Sequence, residues 1–341
     1  MTGLIYPFAD VPALHEVIEV ASGVYWLRMP LPFGIDHINL WLLEDGEGWT
    51  IVDTGIKAPL VQDAWEGLFD GVMAGKPVNR LICTHHHPDH FGMAGWLCAR
   101  KNTMLWMARA EYFMGRALVL DQHPTPPPEI LTYFKRAGLP PEDLQRIAES
   151  GYDRMHEIVT RPPSAYRRLR DEDELMIGGR LWRVVSGRGH SPEHICLLCP
   201  ELNVLISGDQ VLPRISSNVS VGPTEPFANP LADWMQSLYR FRELSNDLLV
   251  LPAHNEPFYG LHARLDSLIK GHEQRLELVE ALCATPVTAA EIMPALYRRT
   301  LKGIDFNLGL GECLSHLHYL AALGQLTVSD DLEGIRRFCR K

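Results

Sequence analysis

The chain predicts an α/β fold that carries its chemistry on loops at one edge of a layered core, and three observations support this. Short β-rich apolar runs alternate with segments of helical periodicity up to about residue 260. Several of those runs end within a few residues of a histidine or aspartate: Val78 to Thr84 before His85, Leu175 to Ser186 before His190, Val204 to Ser207 before Asp209, and Leu248 to Leu251 before His254. The stretch His85-His86-His87-Pro88-Asp89-His90 packs imidazoles and a carboxylate too densely for one helical face.

In chain order, Val17 to Leu27 and His37 to Leu43 are rich in strand formers, Glu44-Asp45-Gly46-Glu47-Gly48 is a hairpin turn, and Trp49 to Val52 returns as a strand. Pro59 to Phe69 has Leu60, Ala64 and Leu68 at helical spacing, and Gly92 to Arg100 predicts a further helix. Ala108 to Leu120, Glu129 to Ala137 and Pro141 to Thr160 read as helices broken by the turn His123-Pro124-Thr125-Pro126-Pro127-Pro128. Gly178-Gly179 closes a hairpin within Leu175 to Ser186. Leu261 to Leu282 is a long amphipathic helix with Leu265, Leu268, Ile269, Leu276 and Val279 on its stripe. Pro286-Val287-Thr288-Ala289-Ala290-Glu291 opens a capped helix, Gly311 to Leu323 gives another, and Gly324 to Val328 a strand.

Composition narrows the function classes. The 341 residues can bury a large core and favour two domains, and the 46% apolar and 22% charged fractions are those of a globular protein. A net charge of -10 opposes nucleic-acid binding by bulk electrostatics. The opening Met1 to Asp10 has no basic and apolar leader pattern, and no run has the length of a membrane span, so a cytoplasmic protein is expected. Seven cysteines suggest reduced thiols rather than a disulfide framework, and Cys196 and Cys199, three apart on a strand, should point to opposite faces.

The histidine-rich stretch calls for two cations. His85 and His87, two apart on extended backbone, point to one side; Pro88 then turns the chain, so Asp89 and His90 face a second point. A polar loop merely rich in histidine is the alternative, but crowded imidazoles repel one another on protonation and would each need a separate hydrogen-bond partner. With Leu81-Ile82-Cys83-Thr84 before it, the motif resembles the signature of the metallo-β-lactamase superfamily, and four more segments match that family's pattern in order. They are Val52-Asp53-Thr54-Gly55, Gly189-His190-Ser191-Pro192, Ser207-Gly208-Asp209 and Leu251-Pro252-Ala253-His254.

The resemblance implies an αββα sandwich in which His85, His87 and His190 bind a first metal, Asp89, His90 and His254 a second, and Asp209 bridges them. It implies two zinc ions, with iron or manganese as alternatives, and a water between them that becomes a hydroxide near neutral pH. Asp89 and Asp209 would offset the metal charge, with Asp89 or a metal-bound water returning a proton to the leaving group. The centre is more similar to glyoxalase II than to the commonest zinc β-lactamases, which place a cysteine where Asp209 stands. His86 is expected beside the site rather than on a metal, His194 to be an ordinary hydrogen-bonded strand residue, and Asp53 to orient an imidazole from behind. His37, Arg214 and Asn218 are candidate substrate-binding residues, Arg214 competing with a plain surface salt bridge.

The expected division is a catalytic domain over 1–260 with a helical cap at about 105–170, a connector helix over 261–284, and a winged-helix-like domain over 285–341. Cap residues Tyr112, Phe113, Met114, Tyr133, Phe134 and Met155 either line a channel or pack the helices; packing explains most such residues. The tail carries seven Lys and Arg against six Asp and Glu, so packing is preferred to nucleic-acid binding, and His316 and His318 read as structural. The expected activity is hydrolysis of a small acyl ester or thioester, with no membrane partner and with a homodimer compatible. An endoribonuclease or other phosphodiesterase and an iron-dependent persulfide dioxygenase are the competing readings.

Overall fold

The computed structural model describes residues 3–32, 34–149, 155–297 and 299–341. The chain runs β1 (Ile18–Ala21), β2 (Val24–Pro30), β3 (His37–Asp45), β4 (Gly48–Val52), α1 (Pro59–Asp70), β5 (Val78–Ile82), α2 (Pro88–Phe91), α3 (Ala94–Lys101), β6 (Leu105–Ala108) and α4 (Arg109–Leu120). It continues through α5 (Pro128–Arg136), α6 (Pro141–Glu149), α7 (Met155–Ile158), β7 (Tyr166–Leu169), β8 (Glu174–Ile177), β9 (Arg180–Gly187), β10 (His194–Cys199) and β11 (Val204–Gly208). Then follow α8 (Pro230–Phe241), β12 (Leu249–Pro252), α9 (Leu261–Leu282), α10 (Ala289–Leu296), α11 (Ile304–Ala322), β13 (Leu326–Asp330) and β14 (Arg336–Arg340).

Two sheets form the first compact unit, which comprises Met1–Gln122, Asp153–Ser217 and Arg242–Arg264. One has seven strands in sequence order from β1 to β7; the other has five in the order β12-β11-β10-β9-β8. β1 to β4 pair antiparallel, whereas β4 to β7 pair parallel through helical crossovers. Strand alternation divides the side chains of the larger sheet between two cores. Trp41, Leu43, Val52 and Ile82 meet Trp182, Val184, Ile195, Ile206 and Leu251 of the smaller sheet. The alternate residues Leu40, Leu42, Ile51 and Leu81 pack against Val61, Trp65 and Leu68 of α1 and Leu97 of α3.

Of the expected α1 stripe, Ala64 and Leu68 are buried and Leu60 is not. Leu60 is 51% exposed, and Val61, Ala64, Trp65, Leu68 and Phe69 are buried. Trp65 decides the phase, because its indole N–H donates to the Thr54 carbonyl at 2.8 Å while its ring fills the core.

The second compact unit gathers His123–Tyr152, Asn218–Phe241 and Leu265–Lys341. Tyr133 and Phe134 of α5 pack there with Val279 of α9, Ile292 of α10 and Leu310, Leu314 and Leu317 of α11. The segment expected as a cap is thus mixed. Its ends, β6 and β7, are neighbouring strands of the large sheet, α4 belongs to the first unit and α5 to the second. Short strands beside helical patterns gave no periodicity long enough to separate them. Tyr112 is buried and stacks on Tyr166 at 3.8 Å, Tyr133 and Phe134 are buried, and Phe113 faces solvent.

The helix expected over Pro141 to Thr160 is described as α6 and α7, with residues 150–154 outside the described set. α9 matches its expected limits, and Thr288 and Glu291 form the capping box that opens α10. α11 begins seven residues before Gly311. Gly311 is no start signal: a Cβ there would lie 2.8 Å from Ser220 Cβ and the Val221 carbonyl, so its role is close packing. His316 Nδ1 donates to the Glu312 carbonyl at 2.7 Å, and His318 Nδ1 to the Ala228 carbonyl at 2.9 Å. All seven cysteines are free. No described helix is long and apolar enough to cross a membrane.

The burial of Trp65 and exposure of Leu60 on α1 make a stability prediction. Trp65→Ala should lower unfolding free energy by about 3–5 kcal/mol, and Leu60→Ala should change it by no more than about 0.5 kcal/mol. Urea midpoints measure both, and comparable losses would contradict the assigned face.

Candidate metal centre

Strands of both sheets deliver the site's side chains on the loops that follow them. β5 ends at Ile82 and leads to His85; His87 is the extended residue before α2, whose first residue, Pro88, turns the chain into a single helical turn carrying Asp89 and His90. The loops after β9, β11 and β12 bring His190, Asp209 and His254.

These residues form two groups of converging ligand atoms. In the first, His85 Nε2 lies 2.9 Å from His87 Nδ1 and 3.2 Å from His190 Nε2, and His190 Nε2 lies 3.2 Å from Asp209 Oδ2. In the second, Asp89 Oδ2 lies 3.6 Å from His90 Nε2 and 3.4 Å from His254 Nε2. Asp209 Oδ1 is 3.5 Å from each of those same two nitrogens. One carboxylate therefore turns an oxygen to each group.

The donor set fits divalent cations. Nitrogen and oxygen ligands about 2.0–2.1 Å from a tetrahedral zinc stand about 3.3–3.4 Å apart, and the separations above bracket that spacing. His90 Nε2 and Asp209 Oδ1 are buried without a hydrogen-bond partner, a costly state that a shared cation would relieve.

Neighbouring groups fix the direction of the imidazole lone pairs. Asp53, held at φ 63° where β4 ends, accepts from the Thr84 N–H at 2.7 Å, the Thr84 hydroxyl at 2.9 Å and His90 Nδ1 at 2.8 Å. His254 Nδ1 donates to the His37 carbonyl at 2.9 Å. Each of these two histidines is thereby left with Nε2 facing the second group. Asn39, fully buried, donates to the carbonyls of Pro252 at 2.9 Å and Asn255 at 2.6 Å, anchoring the turn that carries His254.

The two groups differ electrostatically. Burial, helped by the other imidazoles, holds His85 and His87 well below the usual histidine range. At His90 burial acts the same way, but Asp89, Asp53 and Asp209 outweigh it and raise the imidazole well above that range. At His254 burial is likewise outweighed, by Asp209 and Asp89, and the pKa is raised. Burial works to raise Asp209, yet His90 and His254 hold it well below the carboxylate range.

The remaining sequence candidates occupy definite places. His194 is fully buried at the start of β10; its Nε2 accepts the Asp209 N–H at 3.1 Å, and burial, with His190, pushes it down to about 3. His86 is in neither ligand group, and its Nδ1 lies 2.6 Å from Glu111 Oε2. His37 sits edge-on to His254, with Nδ1 on Asp36 at 2.7 Å and Nε2 accepting the Asn255 N–H at 2.9 Å. Arg214 pairs with Glu256 at 2.9 Å and lies over the Tyr6 ring, so the surface salt bridge is what the structure contains. Asn218 belongs to the second unit, where it accepts from the Ser220 hydroxyl and donates to the Leu308 carbonyl at 3.4 Å. Sequence reasoning missed Glu111, a fully buried carboxylate on α4; its only signal was a charge on the apolar side of a helical pattern.

Residues 34–254 match the family profile of the Metallo-beta-lactamase superfamily, and residues 276–341 that of the Metallo-beta-lactamase-like C-terminal domain. A beta-lactamase domain protein from Burkholderia ambifaria is 45% identical, with a TM-score of 0.90 over 99% of this chain and 98% of that one. The probable metallo-hydrolase YqjP of Bacillus subtilis is 24% identical over 90% of this chain and 94% of its own length. Acyl-coenzyme A thioesterase MBLAC2 of Gallus gallus is 26% identical over 70% of this chain and 80% of its own.

The electrostatic contrast predicts unequal proton release. Raised pKa values keep His90 and His254 protonated at pH 6.5, so a cation entering the second group must displace protons, whereas the neutral His85 and His87 have none to lose. Affinity of the second group should rise with pH until those imidazoles have titrated, and that of the first should change less. Calorimetric zinc titration in buffers of different ionisation enthalpy measures this; greater release at the first group would contradict it.

Proposed function

From the premise that the chain belongs to the metallo-beta-lactamase superfamily, we propose that it is a dinuclear hydrolase of small acyl esters or thioesters, with zinc as the preferred metal. The chain is a metal-dependent hydrolase by family; the nuclearity, the metal and the substrate are the proposal. The observation that carries it is Asp209, whose Oδ2 lies 3.2 Å from His190 Nε2 and whose Oδ1 lies 3.5 Å from His90 Nε2 and His254 Nε2.

His85, His87 and His190 would hold one cation, Asp89, His90 and His254 the other, and Asp209 both. When bound, the two cations supply Lewis acidity toward a substrate oxygen and lower the pKa of a water enough to make it a nucleophile near neutral pH. Asp53 and the His37 carbonyl orient the rings of His90 and His254, and His194 holds the Asp209 N–H, so these ligands are positioned before a cation arrives. Asp89 is the candidate proton carrier. Its Oδ2, 3.4 Å from His254 Nε2 and 3.6 Å from His90 Nε2, stands at the second group, where it would take a proton from the attacking water and return it to the departing group. The acyl preference is supported by the thioesterase relative and by a net charge of -10, which opposes polyanionic substrates. We further read 285–341 as a winged-helix-like module, on the order of α10, α11 and the β13–β14 hairpin.

The test is a screen of the zinc-loaded protein against acyl-CoA and glutathione thioesters, lactones, β-lactams and phosphodiesters, repeated with two variants. Thioester or ester turnover is expected; Asp209→Ala should abolish it, and His194→Ala, which removes only an orienting contact, should reduce it about 10–100-fold. Turnover confined to phosphodiesters would overturn the carbonyl reading, and equal losses in two folded variants would overturn the ranking of Asp209 over His194.

A further inference from the structure

We propose that Glu111 is a positioning residue for the first ligand group, bracing the His85–His87 stretch against the His190 loop. The proposal rests on the ligand assignment above but not on the substrate. Glu111 is fully buried in the first turn of α4, away from the strands that carry the ligands. Its carboxylate accepts four hydrogen bonds, two on each oxygen. Oε2 takes the His86 N–H at 3.1 Å and His86 Nδ1 at 2.6 Å. Oε1 takes the Ser191 hydroxyl at 2.8 Å and the Glu193 N–H at 2.6 Å.

His86 stands between His85 and His87, and Ser191 follows His190 directly. One side chain therefore ties together two segments about a hundred residues apart in sequence, each at the residue adjoining a ligand. The contact is reciprocal, because the Glu193 side chain accepts the Ala110 N–H at 3.1 Å, fastening the start of α4 to the same loop. Gly115, one turn further along α4, lets the helix lie against the ligand stretch: a Cβ there would be 3.0 Å from both His86 Cβ and the Phe91 ring.

Two buried carboxylates share this work unequally. Asp53 orients His90 of the second group directly at 2.8 Å and reaches His85 only through the Thr84 hydroxyl, whereas Glu111 touches residues next to ligands of the first group alone. A carboxylate is required because all four partners are donors. Glutamine in the same place turns its N–H₂ toward one backbone N–H, of His86 or of Glu193 according to its orientation, and that contact becomes donor against donor, while the Ser191 hydroxyl or the His86 ring can turn to accept.

Zinc affinity, read by competition with a chromophoric chelator in two backgrounds, tests this without reference to activity. In His254→Gln, which cripples the second group, Glu111→Gln should weaken zinc binding about 10–100-fold. In His190→Gln, which cripples the first, the same change should have little effect. Ser191→Ala, which removes one of the four bonds, should move affinity in the same direction by a smaller factor and keeps the test open if Glu111→Gln does not fold. Equal weakening in both backgrounds, or none in either, would overturn the proposal. Wild-type protein that binds two zinc ions and cleaves no ester or thioester would overturn the functional reading while leaving this one standing.

Discussion

The side chain of Asp209 imposes the constraint that the rest of the first unit serves: two oxygens of one carboxylate face two clusters of imidazoles that arrive from separate loops. Unpaired buried polar atoms are costly, so this arrangement persists only where the surroundings over-determine it. The Asp209 N–H is held by His194, and its carbonyl accepts the Ser217 hydroxyl. Two of the loops leave strands buried at every position, β11 before Asp209 and β12 before His254, which fixes where the next residues must point.

The two ligand groups share Asp209 but are built from different chemistry. The first includes His85 and His87, which burial keeps neutral, and Glu111 bonds His86 and Ser191, the residues adjoining its ligands. The second mixes imidazoles raised by Asp89, Asp53 and Asp209 with a carboxylate, and it is braced directly by Asp53 on His90. Without a cation, the second group pairs charged imidazoles with carboxylates, whereas His85 and His87 of the first are neutral. Such a difference within one centre separates the affinities and pH dependence of its two positions even when the ligand counts are alike.

Much of this was legible in the sequence because the ligands carry their own signal. The His85 to His90 stretch has no other economical explanation, and each of the later segments follows a short apolar strand. The limits of α9 and the Thr288 capping box were readable for the same reason: long periodicity and local capping chemistry survive without tertiary context. Features set by packing were not. The phase of α1 was settled by Trp65 reaching Thr54, the true start of α11 by Gly311 making room for Ser220 and Val221, and β6 and β7 by pairing with each other across sixty residues. The role of Glu111 was not legible for a further reason, since its partners come from two distant loops and no spacing rule connects them. Arg214, by contrast, was chosen for a charge that the fold uses on Glu256.

The claim on which this account turns is that Asp209 joins two metals. Anomalous diffraction from crystals of the zinc-loaded protein, recorded on either side of the zinc edge, measures it directly. The account predicts two peaks about 3.5–4 Å apart, one against His85, His87 and His190, the other against Asp89, His90 and His254, with one Asp209 oxygen toward each. A single fully occupied peak, or two peaks with both Asp209 oxygens on the same one, would contradict it.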